Sequence, residues 1–275
     1  MVERTEVDGE AAERKLAMDL TAPLIGVVAG FVVGVTSTGG GALLTPALVF
    51  ILRVPPSIAV GSDVLIATVT KLFGGGLYAL RGQVHWPTVW RLLAGSLPGA
   101  ALGIVVLNHI PPAVREDALQ RALGAVLVLA GAATLGRLYF ASHARPTTAP
   151  GAGWTAALGF GTGLLVSTTS IGSGSLLLCV LTIFFPLPAQ TMVGTDLVHA
   201  LVLSAAATVG HVQAGRVDVA LAASVLAGSV PGVILGARVA HVVPERALRA
   251  VLAVILMGLG VPIAWPGALA YVHVG

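Results

Sequence analysis

Charged side chains are scarce in this sequence of 275 residues. Asp, Glu, Lys and Arg together make up 10% of it, whereas an ordinary soluble domain carries about 25%. Hydrophobic residues make up 56%, and the mean hydropathy is +0.94. This composition excludes a soluble globular protein.

Cysteine is almost absent as well. Cys179 is the single cysteine, and it lies inside an apolar run. One thiol excludes an internal disulfide and a cysteine-cluster metal site. We therefore expect Cys179 to be a small buried hydrophobic residue.

The signatures of several other function classes are missing too. No clustered basic face is present, so we expect no nucleic-acid partner. The motifs HExxH, the nucleophile elbow with a partner histidine and GxxxxGK[ST] are all absent. We therefore expect neither an enzyme nor a metal or other cofactor, and ATP could drive the protein only through a separate subunit. Residues 1–19 lack the basic start and cleavage site of a secretory signal, and we expect them to form a polar tail.

The sequence contains instead a series of long apolar runs from Leu20 to its C-terminus. Such runs are typical of membrane-spanning helices, and they lack the period-two alternation of a membrane β-barrel. We predict an all-α polytopic membrane protein. The predicted helical segments are 20–35, 42–52, 57–80, 86–107, 118–140, 154–170, 174–185, 190–213, 219–240 and 246–265.

Two glycine-rich stretches interrupt the apolar runs, "TSTGGGALLTP" from Thr36 and "TSIGSGSLLLC" from Thr169. They belong to a longer internal similarity with a constant offset of 133 residues. "VGSDV" from Val60 matches "VGTDL" from Val193, and "AGSLPGAALG" from Ala94 matches "AGSVPGVILG" from Ala227. We interpret the chain as two homologous halves. The predicted divisions are a tail at 1–19, a first repeat at 20–141, a linker at 142–153 and a second repeat at 154–275.

Segment lengths predict how the glycine stretches sit in the membrane. One helix over 20–52 would be about 50 Å long, against a hydrocarbon core of about 30 Å, whereas 42–52 alone is too short to span it. A broken pair of helices with its glycine tip inside the membrane fits better. If each pair re-enters without crossing, each half has three full spans and the second half is inverted. If each pair counts as one crossing, the halves are parallel, and the arginines do not decide between the two.

The motifs "GFVVGVTSTGGGALLTPAL", "AVGSDVLIATVT" and their second copies resemble the sulfite exporter TauE/SafE family, also called the 4-toluene sulfonate uptake permease family. The resemblance covers the chain from about Gly30 to Gly260. It implies a multi-pass permease in the plasma (inner) membrane of a prokaryote. It also implies a small sulfur-containing anion as substrate, such as sulfite or an organosulfonate, and it favours export. The lipid bilayer is then an obligatory partner, whereas protons as coupling ions and a homo-oligomer remain open.

The two tips are the candidate substrate-binding site. Glycines expose backbone N–H groups, Ser and Thr add hydroxyl donors, and the following helices direct their N-terminal partial positive charge at the tip. Such a site holds an oxyanion without a fixed cation. The alternative is close helix packing by small residues. The candidate residues are Thr36, Ser37, Thr38, Gly39, Gly40 and Gly41 in the first tip and Thr169, Ser170, Gly172, Ser173, Gly174 and Ser175 in the second.

Four ionisable residues inside predicted spans are candidates for coupling or gating. Asp63 and Asp196 occupy equivalent positions, and a carboxylate at membrane depth is costly unless it is paired or hydrated. Each could bind protons, hold a tip loop through its N–H groups, or cap its own helix. Lys71 could attract the anion, pair with Asp63 or snorkel. His199 could carry a proton or simply bond a neighbouring helix; Lys71 and His199 have no counterpart in the other half.

The remaining polar residues favour structural roles. We expect loop or interface positions for His211, Gln213, Arg216 and Arg81. The glycines spaced by four from Gly95 and from Gly228 are expected to make grooves for tight helix packing. Two rival functions stay open at this point: a passive anion channel that uses the same tips, and a membrane-embedded enzyme, for which Asp196 and His199 would be the only plausible catalytic pair.

Overall fold

A computed structural model describes residues 21–35, 41–140, 148–239 and 245–264. Within these residues the chain folds into ten α-helices, so the all-α prediction is confirmed. The helices are α1 Thr21–Val35, α2 Gly41–Phe50, α3 Pro56–Leu80, α4 Trp86–His109, α5 Pro112–Phe140, α6 Ala152–Thr169, α7 Leu176–Phe184, α8 Ala189–Gln213, α9 Val219–Val239 and α10 Glu245–Ala264.

Most helix ends lie within two residues of the sequence-based expectation, and α5 is the exception. It begins at Pro112, six residues before the apolar run predicts. Proline is favoured in the first turn of a helix because its missing N–H has no partner there anyway. The added turn is polar and contains Arg115, Glu116 and Asp117, so hydrophobicity alone could not reveal it.

Five helices are long and apolar enough to cross a membrane: α3, α4, α5, α8 and α9. The apolar part of α10, Ala250–Ala264, is shorter. It packs antiparallel to α5, because Gly131 lies against Met257 while Gly124 lies against Ala264. The described chain is thus a multi-pass membrane protein.

Helices α3 and α8 cross at the centre of the molecule and run in opposite directions. Near the start of α3, Gly61 packs against the carbonyl oxygen of Arg216, just beyond the end of α8. Further along, Lys71 Nζ lies 3.5 Å from Ser204 Oγ. We call the side where α3 begins the first face and the side where α3 ends the second face. The offset of 133 makes α3 and α8 equivalent helices of the two predicted halves. An inverted repeat requires equivalent helices to run in opposite directions, as these two do.

Glycines fix the packing of α6 on α4 and of α1 on α9 in matching registers. A Cβ at Gly95 would lie 1.8 Å from the carbonyl oxygen of Ala156, and one at Gly228 would lie 1.9 Å from that of Pro23. Gly95 and Gly228 are 133 residues apart, and so are Pro23 and Ala156. Such closely packed backbones require glycine, and their matching agrees with the predicted duplication.

The α6–α7 pair begins and ends at the second face. Ala156, in the first turns of α6, lies beside Gly95 of α4, and Leu181 and Phe185, at the end of α7, pack with Leu92 of α4. Both ends of the pair therefore lie near the start of α4. The turn between them, residues 170–175, is buried between helices, and we call it the second tip.

The α1–α2 pair has the corresponding arrangement at the first face. Ala22 of α1 and Leu48 of α2 share a core cluster with Val54 and with Leu221 of α9. The start of α1 and the end of α2 thus lie together beside the start of α9. The intervening tip, residues 36–40, lies outside the described residues.

Candidate functional site

The second tip is shaped by left-handed backbone. Helix α6 ends at Thr169, and Ser170 then adopts φ 60°. Gly172 and Gly174 follow with φ 144° and 87°, values that residues with a side chain rarely adopt. Glycine at these two positions lets the chain reverse within six residues and start α7 at Leu176.

The second tip contains two buried hydroxyl groups without a hydrogen-bond partner among the described residues, Ser170 Oγ and Ser175 Oγ. Thr169, by contrast, donates to Leu165 O at 2.8 Å within its own helix. Because buried polar groups in proteins are nearly always bonded, the two free hydroxyls are available to a ligand or a water molecule.

Lys71 reaches this tip from the middle of α3. Its Nζ donates to Ser173 Oγ at 2.8 Å and lies 3.5 Å from Ser204 Oγ of α8. The residue is only 7% exposed, so it does not snorkel to an interface. Ser173 replaces the glycine that the first tip has at the equivalent position, and it is this substitution that supplies the partner of the ammonium group.

Asp196 holds the second tip from α8. Its Oδ1 accepts a hydrogen bond from the backbone N–H of Gly174 at 3.2 Å. Asp63, at the equivalent position of α3, accepts one from the Thr45 hydroxyl of α2. The Ser170 hydroxyl also faces Asp63, without the geometry of a hydrogen bond.

The helix-cap interpretation of the two aspartates is wrong. Helix α3 begins at Pro56 with Pro55 in the capping position, and α8 begins at Ala189 after Pro188. Each aspartate is therefore the eighth residue of its helix. At that depth a carboxylate bonds other elements, because the N–H groups of its own helix are already used.

One cation and two carboxylates share the site. Lys71 interacts electrostatically with Asp63 and with Asp196. All three are buried among the described residues. The burial of this triad within membrane-spanning helices is costly unless the charges compensate one another.

The other sequence-predicted residues fall in three places. Thr36, Ser37, Thr38, Gly39 and Gly40 lie outside the described residues, and Gly41 is the first residue of α2. His199 is buried on α8, where its Nε2 lies 3.0 Å from Ser96 Oγ of α4. Among the described residues, no group of three His, Cys, Asp or Glu side chains could hold a metal ion.

Sequence reasoning missed two partners in the site. Thr45 gave no signal, because a threonine in an apolar helix usually bonds its own backbone. Ser204 stands 133 residues after Lys71, but the register does not show which equivalent residues touch, and only the crossing of α3 and α8 brings these two together.

A second polar cluster lies at the first face. Arg216 is 3% exposed, and its guanidinium donates to Asn108 Oδ1 at the end of α4. Burial lowers the pKa of Arg216 and the nearby Arg115 lowers it further, while Glu116 opposes both effects. Glu116 also accepts the backbone N–H of Ser57 at 2.9 Å. A surface loop role for Arg216 is therefore too simple: the side chain ties the α8–α9 connection to α4.

His211 is also more deeply placed than expected. It is buried in the last turn of α8, and its Nε2 lies 2.8 Å from the carbonyl oxygen of Ser167 in α6. The equivalent position in the first half is Tyr78. A polar side chain at a segment end thus joins α8 to α6, the helix that leads into the second tip.

Comparison with known families assigns this architecture. The family model described as sulfite exporter TauE/SafE matches residues 22–263. The chain belongs to the TauE/SafE family. Among curated relatives, the probable membrane transporter protein YjnA of Bacillus subtilis (strain 168) is 36% identical over 257 residues, which cover 88% of this chain and 98% of the relative. YdhB of the same organism, also named a probable membrane transporter protein, is 24% identical over 82% of this chain and 90% of its own length.

A third relative, a probable membrane transporter protein of Xylella fastidiosa (strain 9a5c), is 26% identical over 45% of this chain and 47% of its own length. No solved structure matches the sequence. As a TauE/SafE protein with several membrane-spanning helices, the chain is a membrane transporter with a small-molecule substrate and a lipid surround.

Proposed function

We propose that this TauE/SafE protein is a secondary permease for a small sulfur-containing oxyanion, such as sulfite or an organosulfonate. The proposal depends mainly on one observation. The Lys71 ammonium group lies 2.8 Å from Ser173 Oγ, in a tip where Ser170 Oγ and Ser175 Oγ are buried and have no hydrogen-bond partner in the part of the chain that the structure describes. Export is proposed from the family name only.

The donor chemistry of this site suits an oxyanion. An ammonium group carries three N–H donors and no acceptor, and each serine hydroxyl can turn its proton toward a ligand. A sulfite or sulfonate group presents three oxygens that accept such bonds. The start of α7 adds backbone N–H groups and the positive end of a helix dipole. The first tip, with Ser37 at the position equivalent to Ser170, is proposed as the opposite wall.

Alternating access follows from the proposed duplication into halves 20–141 and 154–275. With α3 and α8 antiparallel, the two halves would be related by an axis in the membrane plane, and a site on that axis is equally distant from both faces. The glycine contacts of α6 with α4 and of α1 with α9 join the two halves. If one half slid against the other along these glycine grooves, the site would open to one face while it closed to the other.

The test is binding followed by flux. Purified protein is screened for thermal stabilisation by sulfite, sulfate, thiosulfate, sulfoacetate, taurine and non-sulfur carboxylates. A ligand that binds only the folded state raises the unfolding midpoint. We expect sulfur oxyanions to stabilise the protein, and stabilisation by carboxylates alone would contradict the assignment.

A matched pair of variants locates the site. Ser170→Ala should weaken the stabilisation by the anion, because it removes a free donor from the tip. Thr182→Val on α7 is the control, since Thr182 already donates to Leu178 O at 2.6 Å. In proteoliposomes, counterflow of labelled anion would distinguish a permease from a passive channel, and unchanged substrate inside the vesicles would exclude an enzyme as the main activity.

A further inference from the structure

The charges of the site do not suit an anion when every group is ionised. Lys71 contributes one positive charge, and Asp63 and Asp196, both near enough to interact with it electrostatically, contribute two negative ones. A further negative ligand would meet a site that is already net negative and buried. Like charges in such a medium repel strongly, so one carboxylate must be neutralised before an anion binds to Lys71.

The hydrogen-bond partner of Asp63 suits either protonation state of its carboxyl group. Asp63 accepts the Thr45 hydroxyl. A hydroxyl can donate to a carboxylate or accept from a carboxylic acid. The surroundings of Asp63 therefore suit both protonation states.

Asp63 also borders a cavity. The cavity has a volume of about 30 Å³ and lies between α1, α2, α3 and α9. The lining residues with polar side chains are Asp63, Thr70 and Ser229. A cavity above about 10–15 Å³ with polar partners can hold a water molecule. Water there could deliver a proton to the carboxylate and remove it again.

We propose that Asp63 is the proton-binding group of the permease and that it is protonated when the anion engages Lys71. This inference rests on the proposed function and adds its coupling ion. Each proton moves from water to a carboxylate oxygen of Asp63, and it leaves again when the anion leaves. The charged or titratable groups near Asp63 are Lys71 on its own helix, with Asp196 and His199 of α8 beyond Lys71. The cavity-lining residues from α1, α2 and α9 are uncharged.

The coupling arises because the anion and Asp63 compete for the same ammonium group. An anion that pairs with Lys71 takes away the countercharge of Asp63, and the neutral acid is then the favoured form. By linkage, protonation of Asp63 strengthens anion binding by the same factor. Coupling of this kind sets the number of protons moved with each anion, and it does not set the direction of transport. A dianion that moves with one proton still carries net negative charge, so an inside-negative membrane potential drives the pair outward.

The experiment measures anion flux in proteoliposomes with and without an imposed pH gradient. The probe is sulfate, thiosulfate or sulfoacetate, whichever the wild type transports, since none of the three binds a proton near neutral pH. Acid on the uptake side should accelerate wild-type flux, at subsaturating anion by up to about tenfold for each unit of pH. Asp63→Asn should give the same flux with and without the gradient.

Asp196→Asn is the matched control at the equivalent position. It should lower flux under every condition, because it loosens the second tip, yet keep the acceleration by acid. Acceleration that survives in Asp63→Asn, or disappears only in Asp196→Asn, would overturn the assignment. Counterflow of labelled anion at equal pH on both sides should persist in Asp63→Asn, because an amide imitates the protonated acid.

A measurement on the wild type decides the matter if Asp63→Asn does not fold. When the same anion is added to purified protein in weak buffer, the protein should take up about one proton per anion bound at saturation. A pH indicator detects this uptake. Anion binding without proton uptake would contradict the proposal while leaving the permease intact. If no sulfur anion binds or crosses the bilayer, the proposed function fails and this inference fails with it.

Discussion

Lys71 Nζ lies 3.5 Å from Ser204 Oγ, and these residues stand at equivalent positions of the two predicted halves, 133 apart. Equivalent residues can touch only where they meet the axis that relates the halves. Since α3 and α8 are antiparallel, that axis is perpendicular to both helices. The buried ammonium group thus lies where the predicted pseudosymmetry would place its axis, although lysine itself occurs in only one of the predicted spans α3 and α8.

This relationship predicts that the charge can be moved to the other half. Lys71→Ser should lower anion affinity by about 10- to 150-fold, the equivalent of about 1.5–3 kcal/mol for a hydrogen bond to a charged group. Lys71→Ser combined with Ser204→Lys returns an ammonium group to the axis and should recover part of the affinity. The measurement is titration of anion-dependent thermal stabilisation. A double variant as weak as Lys71→Ser would show that the two positions are not interchangeable.

Helix packing gives a prediction about stability. Gly163→Ala would place a Cβ 2.0 Å from the carbonyl oxygen of Ser96 in α4, whereas the space around Gly161, on the same helix, is open. Forced overpacking costs about 1–3 kcal/mol, so the unfolding midpoint of Gly163→Ala should fall by several degrees. Gly161→Ala should be neutral or stabilising, because alanine favours helix over glycine. Equal midpoints in a thermal melt of the purified proteins would contradict the close contact.

The polar cluster around Arg216 at the first face should contribute more to stability than the Gln83–Gln190 pair at the second face. Arg216→Gln removes a buried guanidinium that bonds Asn108, at a cost of about 1.5–3 kcal/mol. Gln83 is its equivalent, and it bonds Gln190 at 2.9 Å in an exposed pair. Gln83→Ala should therefore shift the melting midpoint very little. Arg216→Lys should not restore stability fully, because an ammonium lacks the planar fork of guanidinium.

If the two predicted halves are inverted, the starts of α5 and α8 should be labelled from opposite sides of the membrane. Asp117 is exposed near the start of α5 at the first face, and Gln190 is exposed near the start of α8 at the second face. In a Cys179→Ser background, Asp117→Cys and Gln190→Cys should each react with a membrane-impermeant maleimide from one side only, and the sides should differ. Vesicles of known orientation provide the measurement. Reaction of both cysteines from the same side would contradict the arrangement.

Much of the site could be predicted from the sequence. The offset of 133 identified the second tip and the two aspartates, because glycines and acids in apolar runs are rare enough to be noticed. Their partners were harder to foresee. Thr45 and Ser96 resemble ordinary membrane threonine and serine residues, and only the packing of α2 against α3 and of α4 against α8 brings them to Asp63 and His199.

The sequence by itself determined that the chain is a helical, multi-pass membrane protein, since the number, length and composition of its apolar runs leave no alternative in a hydrocarbon solvent. It also determined the break between α6 and α7, because a Gly-Ser-Gly run such as residues 172–174 weakens a helix wherever it stands.

Only the tertiary structure decided which groups meet. Local sequence fixes the helical face on which Lys71 lies, but the neighbour across that face depends on how α3 crosses α8 and how α6 and α7 turn back. The same holds for Arg216, which is 3% exposed although it stands in a connection between helices. Burial and pairing arise from contacts between segments distant along the chain, and a one-dimensional pattern carries no record of those contacts.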